Sequence, residues 1–176
     1  MAERFLRSLR LMAEAYQAFE RLSNPHVRAL GLTPAQFDIV ATLGNTPGMS
    51  FRELGGRTLI TKGTLTGVVD RLEARGLVER VASDLDRRSV TVRLTVAGEH
   101  EFRRVFEPHV AHLRRGFDGW RADELDALES HLARLRDGLL EAGRSAAPAP
   151  AREGRHRASR RPASRPRPSR PTQEIS

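Results

Sequence analysis

The sequence has no cysteine, one tryptophan, one tyrosine and no long hydrophobic run, and Lys62 is its single lysine. The lack of cysteine excludes disulfide bonds, thiolate metal sites and thiol-based redox sensing. The first nineteen residues interleave Arg and Glu with apolar side chains, unlike the continuous apolar stretch of a signal peptide or a membrane span. We therefore expect a cytoplasmic protein that does not enter membranes.

Motifs for catalysis are also missing. The sequence shows no nucleophile and base pair, no phosphate-binding loop and no metalloprotease motif, so we predict that the protein is not an enzyme. His109 and His112 are three residues apart on a predicted helix and could share a metal with His100 or Glu107. Because solvated or core histidines are commoner than metal ligands, we predict neither a metal nor a cofactor.

Positive charge is concentrated at the end of the chain. Of the net charge of +8, residues 144–176 carry +7, from nine arginines and two glutamates. These residues are mostly Ala, Pro, Ser and Arg, and they have too few apolar side chains to offset the entropy of ordering. We predict a disordered basic tail at 144–176 that follows one domain at 1–143. The tail would either strengthen sequence-independent attraction to DNA or act as a solubilising linker.

Helical periodicity extends over both ends of the predicted domain. Apolar residues recur at steps of three and four near the N-terminus, which predicts a helix over about 3–22 that stops at Asn24-Pro25. Thr33-Pro34-Ala35-Gln36 predicts the next helix start, with a threonine N-cap and a glutamine placed for a capping box. Two further apolar stripes over about 96–141 predict two long helices, of which Pro108 should kink the first.

The central part of the chain predicts a helix-turn-helix followed by a β-hairpin. Ser50 to Glu53 can form a second capping box, and Thr61 can cap a helix that runs to about Arg75. Gly76 suits the left-handed position that closes such a helix. Residues 77–82 and 90–94 alternate in polarity and are rich in β-branched side chains, as expected for two strands with a charged tip between them.

The helix from Thr61 to Arg75 has the pattern of a DNA recognition helix. Its apolar face is Leu65, Val68, Val69 and Leu72, and small polar or basic groups lie opposite, where they would let the backbone approach a major groove. A capped amphipathic helix with a solvated polar face would show the same pattern. The candidate DNA-contacting residues in this part of the chain are Ser50, Thr61, Lys62, Thr64, Thr66, Gly67 and Arg71.

The hairpin tip adds a second candidate contact with DNA. Arg87 and Arg88 directly follow a helix of this kind, and the negative potential of a minor groove attracts inserted arginine. Asp86 can hold one guanidinium through a bidentate pair. By itself this charge cluster is also compatible with a solvated turn, but its position after the two helices predicts a winged helix-turn-helix.

Several segments resemble the MarR family of bacterial transcriptional regulators. They occur in the expected order over roughly residues 5–141 and are Leu32-Thr33-Pro34-Ala35-Gln36-Phe37, Arg52-Glu53-Leu54, Thr64-Leu65-Thr66, Val69-Asp70-Arg71-Leu72-Glu73, Gly76-Leu77-Val78-Glu79-Arg80, Asp86-Arg87-Arg88 and Leu94-Thr95-Val96-Ala97-Gly98. The resemblance implies a mainly α fold with a small β-hairpin wing, a DNA-binding lobe at about 33–94, and a homodimer built from the terminal helices.

The resemblance also implies roles for individual residues of the lobe. Recognition helices would enter successive major grooves, and the wings would enter the flanking minor grooves. The Asp-x-Arg pattern of the family falls on Asp86 and Arg88, so Arg88 would be inserted and Arg87 would neighbour a phosphate. Many relatives have a basic residue after the Thr-x-Thr stretch, where this chain has Gly67. The operator sequence therefore stays open.

We predict a sequence-specific transcriptional regulator, a ligand-responsive repressor that binds double-stranded DNA as a homodimer and is nucleoid-associated when bound. Two-fold pairing would set the recognition helices ~34 Å apart and requires a palindromic operator. Two alternatives remain open. One is an architectural protein that coats DNA without sequence preference, and the other is a partner-binding adaptor that no longer reads DNA.

Family resemblance further implies a site for a small aromatic or phenolic effector between the dimerisation helices and the winged lobe. The residues that combine apolar walls with polar tips are Tyr16, His26, Phe37 and Trp120. Ordinary core packing is the commoner role of each of these side chains.

Overall fold

A computed structural model describes residues 2–82 and 90–146, which form six α-helices and three short strands. In chain order the elements are α1 (Ala2–Ala29), α2 (Pro34–Leu43), β1 (Met49–Ser50), α3 (Phe51–Arg57), α4 (Lys62–Ala74), β2 (Val78–Ala82), β3 (Val90–Leu94), α5 (Val96–Arg114), a 3-10 turn (Arg115–Phe117) and α6 (Ala122–Ala146). The mainly α fold with a β-hairpin wing is confirmed. Two compact units divide at Trp120, and the second contains α6.

Helix starts follow the local capping chemistry. The capping boxes predicted for α2 and α3 are both present: the Thr33 and Ser50 hydroxyls each accept the backbone N–H three residues on, and the Gln36 and Glu53 side chains return the bond. The hydroxyl of Thr61, at the N-cap of α4, makes no such bond. It lies 3.0 Å from the Thr64 hydroxyl instead, so the predicted side-chain cap is wrong.

The predicted end of the first helix is also wrong, because α1 continues through Pro25 to Ala29. Proline removes one bond of the helix ladder, but the residues on either side are held by burial: Ser23 and Val27 are 6% and 1% exposed. The helix is closed by Gly31, two residues beyond its end, which has a φ of +87°. The N–H groups of Gly31 and Leu32 reach back to the carbonyls of Arg28 and Val27, which is a Schellman cap.

The three strands form an antiparallel sheet in the order β1-β3-β2. Val78 pairs with Leu94 at one end of the hairpin, and Ala82 pairs with Val90 at the other. Val92 and Leu94 are buried, as their alternation predicts, whereas Val90 is exposed. The two-residue strand β1, in which Met49 pairs with Val92, was not predicted, because two residues are too few to show the alternation that identifies a strand.

The core of the first unit lies where α2, α3, α4, α5 and the sheet meet. It includes Ile39, Leu54, Leu72, Val92 and Val105, each fully buried. Among the described helices, none has the length and apolar character needed to cross a membrane.

The terminal helix and tail differ slightly from the prediction. Helix α6 runs to Ala146, so the first three residues assigned to the tail are helical. The rest of the predicted tail, 147–176, lies outside the described residues, as does the hairpin tip at 83–89.

Candidate nucleic-acid interface

Helix α4 separates its apolar and polar residues onto opposite faces. Leu65, Val68, Val69 and Leu72 are at most 4% exposed and pack into the core, as predicted. The outward residues are small or polar, and Gly63, Thr64, Thr66, Asp70 and Arg71 are all exposed. No bulky apolar side chain among the described residues of this face would hinder its approach to a groove.

The N-terminus of α4 carries a short polar surface. Thr61 and Thr64 are exposed, and their hydroxyl oxygens lie 3.0 Å apart. A Cβ added to Gly63 would meet no atom within 4 Å, so this turn has open space beside it. Lys62 is the first residue of α4.

Gly67 and Arg71 lie one turn apart on the outward side of α4. A Cβ added to Gly67 would stand 3.7 Å from Arg71 Nη1, so the guanidinium lies beside the glycine. Arg71 makes no ion pair with any other described residue. The guanidinium of Arg71 therefore brings positive charge to the surface beside Gly67.

Sequence reasoning missed the role of Arg80, which joins the hairpin to α4. Its guanidinium pairs with both Asp70 and Glu73 of α4. It also lies over the ring of Phe51, 5.4 Å from the centroid. These contacts link α4, β2 and α3, and they neutralise two carboxylates that would otherwise repel a phosphate backbone. The available signal was two acidic residues three apart on α4, followed by arginine in the next strand.

Ser50 has a defined role within the chain. Its hydroxyl donates to Glu53 Oε2 at 2.8 Å and accepts the Glu53 N–H at 3.2 Å. The bonds from the Ser50 backbone and side chain hold the pKa of Glu53 below its ordinary value. Ser50 therefore acts first as the cap of α3, and its candidate contact with DNA stays a prediction.

The described part of the hairpin reaches from Val78 to Ala82 and from Val90 to Leu94. Glu79 and Arg93 are cross-strand partners, and their side chains form an ion pair at 2.7 Å. Asp86, Arg87 and Arg88 lie outside the described residues, so their contacts with DNA stay predictions.

A cavity of about 450 Å³ adjoins this interface within the first unit. It lies between α1, α2, α5 and the segment that leads into α4. Its walls include Phe19, Phe37, Phe106 and His109, and its rim near α4 includes Leu59, Ile60, Thr61 and Thr64. Because Thr61 and Thr64 belong to both surfaces, the cavity and the candidate DNA-contacting face share residues.

The four aromatic and histidine side chains predicted to form an effector site are not all brought together. Tyr16 and Phe37 line the cavity, but His26 and Trp120 are not among its lining residues. Trp120 packs on Phe117, with ring centroids 6.0 Å apart. Helical spacing could not show that Tyr16 and Phe37 line the cavity while His26 and Trp120 do not. The position of each side chain depends on contacts with distant parts of the chain.

His26 belongs instead to a cluster of three histidines. Its Nδ1 lies 3.1 Å from His109 Nδ1, and its ring stacks on His112 at a centroid distance of 4.1 Å. His112 Nε2 lies 3.1 Å from the Leu22 carbonyl, and the Ser23 hydroxyl lies 3.2 Å from His109 Nε2. Within the described part of the chain, no three His, Cys, Asp or Glu residues are arranged to hold a metal.

Burial affects the protonation of two histidines of this cluster. Desolvation lowers the pKa of His109 and His26, and the neighbouring histidines lower both further. The Nδ1 to Nδ1 contact also requires that one of the two rings act as an acceptor, so the contact is incompatible with two charged rings. The cluster therefore packs α1 against α5, and the neutral forms of His26 and His109 are favoured within it.

Asp38 connects the cavity to the segment before α4. Its Oδ2 accepts the backbone N–H of Leu59 at 2.8 Å, across 21 residues of sequence. Burial raises the pKa of Asp38, and the bond from Leu59 opposes this shift. The Asp38 carboxylate thus lines the cavity and also binds the segment that precedes α4.

Comparisons with known proteins agree with this architecture. The MarR family model matches residues 30–89. The HTH-type transcriptional regulator TtmR of Methylorubrum extorquens is 34% identical over 136 residues, which cover 77% of this chain and 69% of that protein.

Solved structures share the same fold. AbsC, a MarR family transcriptional regulator from Streptomyces coelicolor, has a TM-score of 0.70 and 27% identity over 77% of this chain and 94% of its own. BpsR of Bordetella bronchiseptica, whose DNA binding is regulated by 6-hydroxynicotinic acid, has a TM-score of 0.65 and 27% identity over 73% and 91%. The chain described here belongs to the MarR family of HTH-type transcriptional regulators.

Proposed function

We propose that this protein is a ligand-responsive repressor that binds a palindromic operator as a homodimer. The observation that carries the proposal is the division of α4 into a buried apolar face and an exposed face of threonine, glycine and arginine. Such a face can be inserted into a major groove, with Lys62, Thr64, Thr66 and Arg71 as its base and phosphate contacts. The wing residues Arg87 and Arg88, oriented by Asp86, would contact the neighbouring minor groove.

The dimer is supported by apolar surface that the chain leaves uncovered. On α1 the side chains of Phe5, Leu6, Leu11 and Phe19 are 44–57% exposed. On α6, considered by itself, Leu132, Leu139 and Leu140 are 48–54% exposed. Apolar surface of this extent indicates an interface. A second copy of the chain is the partner that the family resemblance implies.

A ligand response is supported by the cavity that shares residues with α4. Its volume of about 450 Å³ falls in the range of small-molecule sites. In BpsR, 6-hydroxynicotinic acid regulates DNA binding. By analogy, a small molecule in this cavity would alter the position of α4 and weaken operator binding.

Footprinting on the intergenic DNA beside this gene tests the proposal. Protection confined to an inverted repeat is expected, because a two-fold dimer presents its two recognition helices about one helical turn apart. Protection spread evenly along the fragment would instead indicate an architectural DNA-coating protein. If the Arg88→Ala protein binds the repeat as tightly as the wild type, the assignment of the wing is wrong.

The basic tail at 147–176 is expected to raise affinity without setting sequence preference, because arginines that neutralise phosphates release counterions. Deleting it should flatten the dependence of DNA affinity on salt concentration. An unchanged slope would leave the tail as a solubilising linker.

A further inference from the structure

The charges around the cavity differ from those expected of a site for an aromatic acid. Glu20 and Asp38 both line it, whereas no arginine or lysine is among the described side chains that do so. His109 contributes a ring that burial keeps neutral. An aromatic carboxylate would therefore meet two like charges and, among these side chains, no cation to balance its lost hydration.

Asp38 in particular has no cationic partner among the described side chains. Its Oδ2 is bonded to the Leu59 N–H, and its Oδ1 makes no hydrogen bond with any described residue. Burial raises the pKa of this carboxyl, which shows that the described surroundings compensate its ionised form poorly. A positively charged group beside Oδ1 would supply the missing compensation.

The other walls suit the apolar body of the same molecule. Phe19, Phe37 and Phe106 present aromatic surface, and Val110 and Leu113 add aliphatic surface. Aromatic rings attract cations through their faces and pack well against flat ligands. Tyr16 contributes a phenol whose pKa is raised by the charge of Glu20, so it stays protonated and can donate a hydrogen bond.

We propose that the cavity binds a cationic aromatic amine, whose charged nitrogen lies between Glu20 and Asp38 Oδ1 and draws the Asp38 carboxylate away from the Leu59 N–H. The inference rests on the proposed ligand response and names its chemical class. Leu59 is 82% exposed and directly precedes Ile60 and Thr61 at the start of α4. Loss of the Asp38 contact would release this segment, and α4 would lose the position needed for DNA.

Three probes of one shape test the charge preference with the full-length protein. Naphthalen-2-ylmethanamine is the cation, naphthalen-2-ylmethanol is neutral and 2-naphthoate is the anion. Calorimetry at pH 7 should give a Kd for the amine at least about tenfold below that of the alcohol, with naphthoate weakest. The amine should also weaken binding of an operator fragment at least about tenfold.

Asp38→Asn is the informative variant, because the amide oxygen can still accept the Leu59 N–H. Its preference for the amine over the alcohol should be smaller than that of the wild type, because only Glu20 still faces the charged nitrogen, and the amine should no longer release its DNA. Glu20→Gln gives an independent measure if Asp38→Asn fails to fold. Glu14→Gln, an exposed carboxylate of α1 paired with Arg10, is the matched control and should behave as the wild type.

The outcomes separate this inference from the proposed function. Tightest binding by naphthoate, with release of DNA, would overturn the cation preference and leave a ligand-responsive repressor in place. Binding of the amine without any effect on DNA would overturn the role given to Asp38. Binding by none of the three would overturn both the cation site and the ligand response, while a footprint on an inverted repeat would still establish the DNA-binding function.

Discussion

Helices α4 and α1 differ in how far their apolar side chains are exposed. The apolar face of α4 is covered by its own chain, and Leu72 and Val69 are fully buried. The stripe along α1 stays open, with Phe5 and Leu6 more than half exposed. The position of α4 is thus determined within one protomer, whereas α1 is complete only when another surface covers it. In the proposed regulator, the contact of α4 with DNA and the pairing of two copies through α1 would therefore be separate properties.

The largest effect should come from removing a side chain from the buried face of α4. Leu72→Ala removes a fully buried side chain of α4 and should lower the free energy of unfolding by about 2–5 kcal/mol. Thr66→Ala, on the exposed side of the same helix, should change it by no more than about 0.5 kcal/mol. Urea denaturation measures both. Equal losses would mean that α4 is not packed as described.

Acidic substitutions in the exposed apolar stripe of α1 should instead dissociate the proposed dimer. In Phe5→Glu/Met12→Glu the two carboxylates would be buried by the second copy, so the mass measured by light scattering should fall from twice 19.7 kDa to one chain. Operator affinity should fall about 100-fold or more, because two linked half-site contacts become independent. Gln17→Glu, an exposed polar position on α1, is the control. A double variant that keeps the dimer mass would place the interface elsewhere.

A smaller effect is expected at the junction between the hairpin and α4. Arg80→Ala frees the carboxylates of Asp70 and Glu73 beside the DNA-facing surface, so operator affinity should fall about tenfold. The unfolding free energy should change by only about 1 kcal/mol, since the pairs are partly exposed. Arg93→Ala breaks the corresponding pair with Glu79 on the hairpin and should leave DNA affinity nearly unchanged. Equal losses in the two variants would contradict a specific role for Arg80.

The mildest effect should follow acidification of the histidine cluster. The pKa of His109 is lower in the folded chain than its ordinary value of 6.5, so the unfolded chain binds more protons as the pH falls. Stability is therefore fully present above about pH 6.5 and is lost below it, until the pH reaches the folded pKa. Unfolding curves between pH 7.5 and 5 should show a weaker decline for His109→Gln than for the exposed control His100→Gln. Parallel declines would remove the histidine cluster as the cause.

Local chemistry accounts for the elements that sequence alone predicts well. The capping boxes at Thr33 and Ser50 and the left-handed glycine at Gly76 involve residues within a few positions of one another. The apolar face of α4 and the alternation of β3 are likewise readable from period alone. A family resemblance carried by short motifs extended these local features to the whole winged fold.

Long-range contacts decided the remainder, because no local pattern encodes which distant side chains meet. Because Ser23 and Val27 are buried, α1 continues past Pro25, at which local sequence rules predict the end of the helix. Tertiary packing likewise placed Tyr16 and Phe37 around the cavity and left Trp120 elsewhere.

The sequence by itself determined the winged helix-turn-helix through spacing and capping, and it indicated the family through the resemblance of short motifs. Only the tertiary structure joined Arg80 to α4 and bonded Asp38 to Leu59. The physical reason is that the partners of a charged side chain come from distant parts of the sequence, and only the folded chain shows which of them lie within bonding distance.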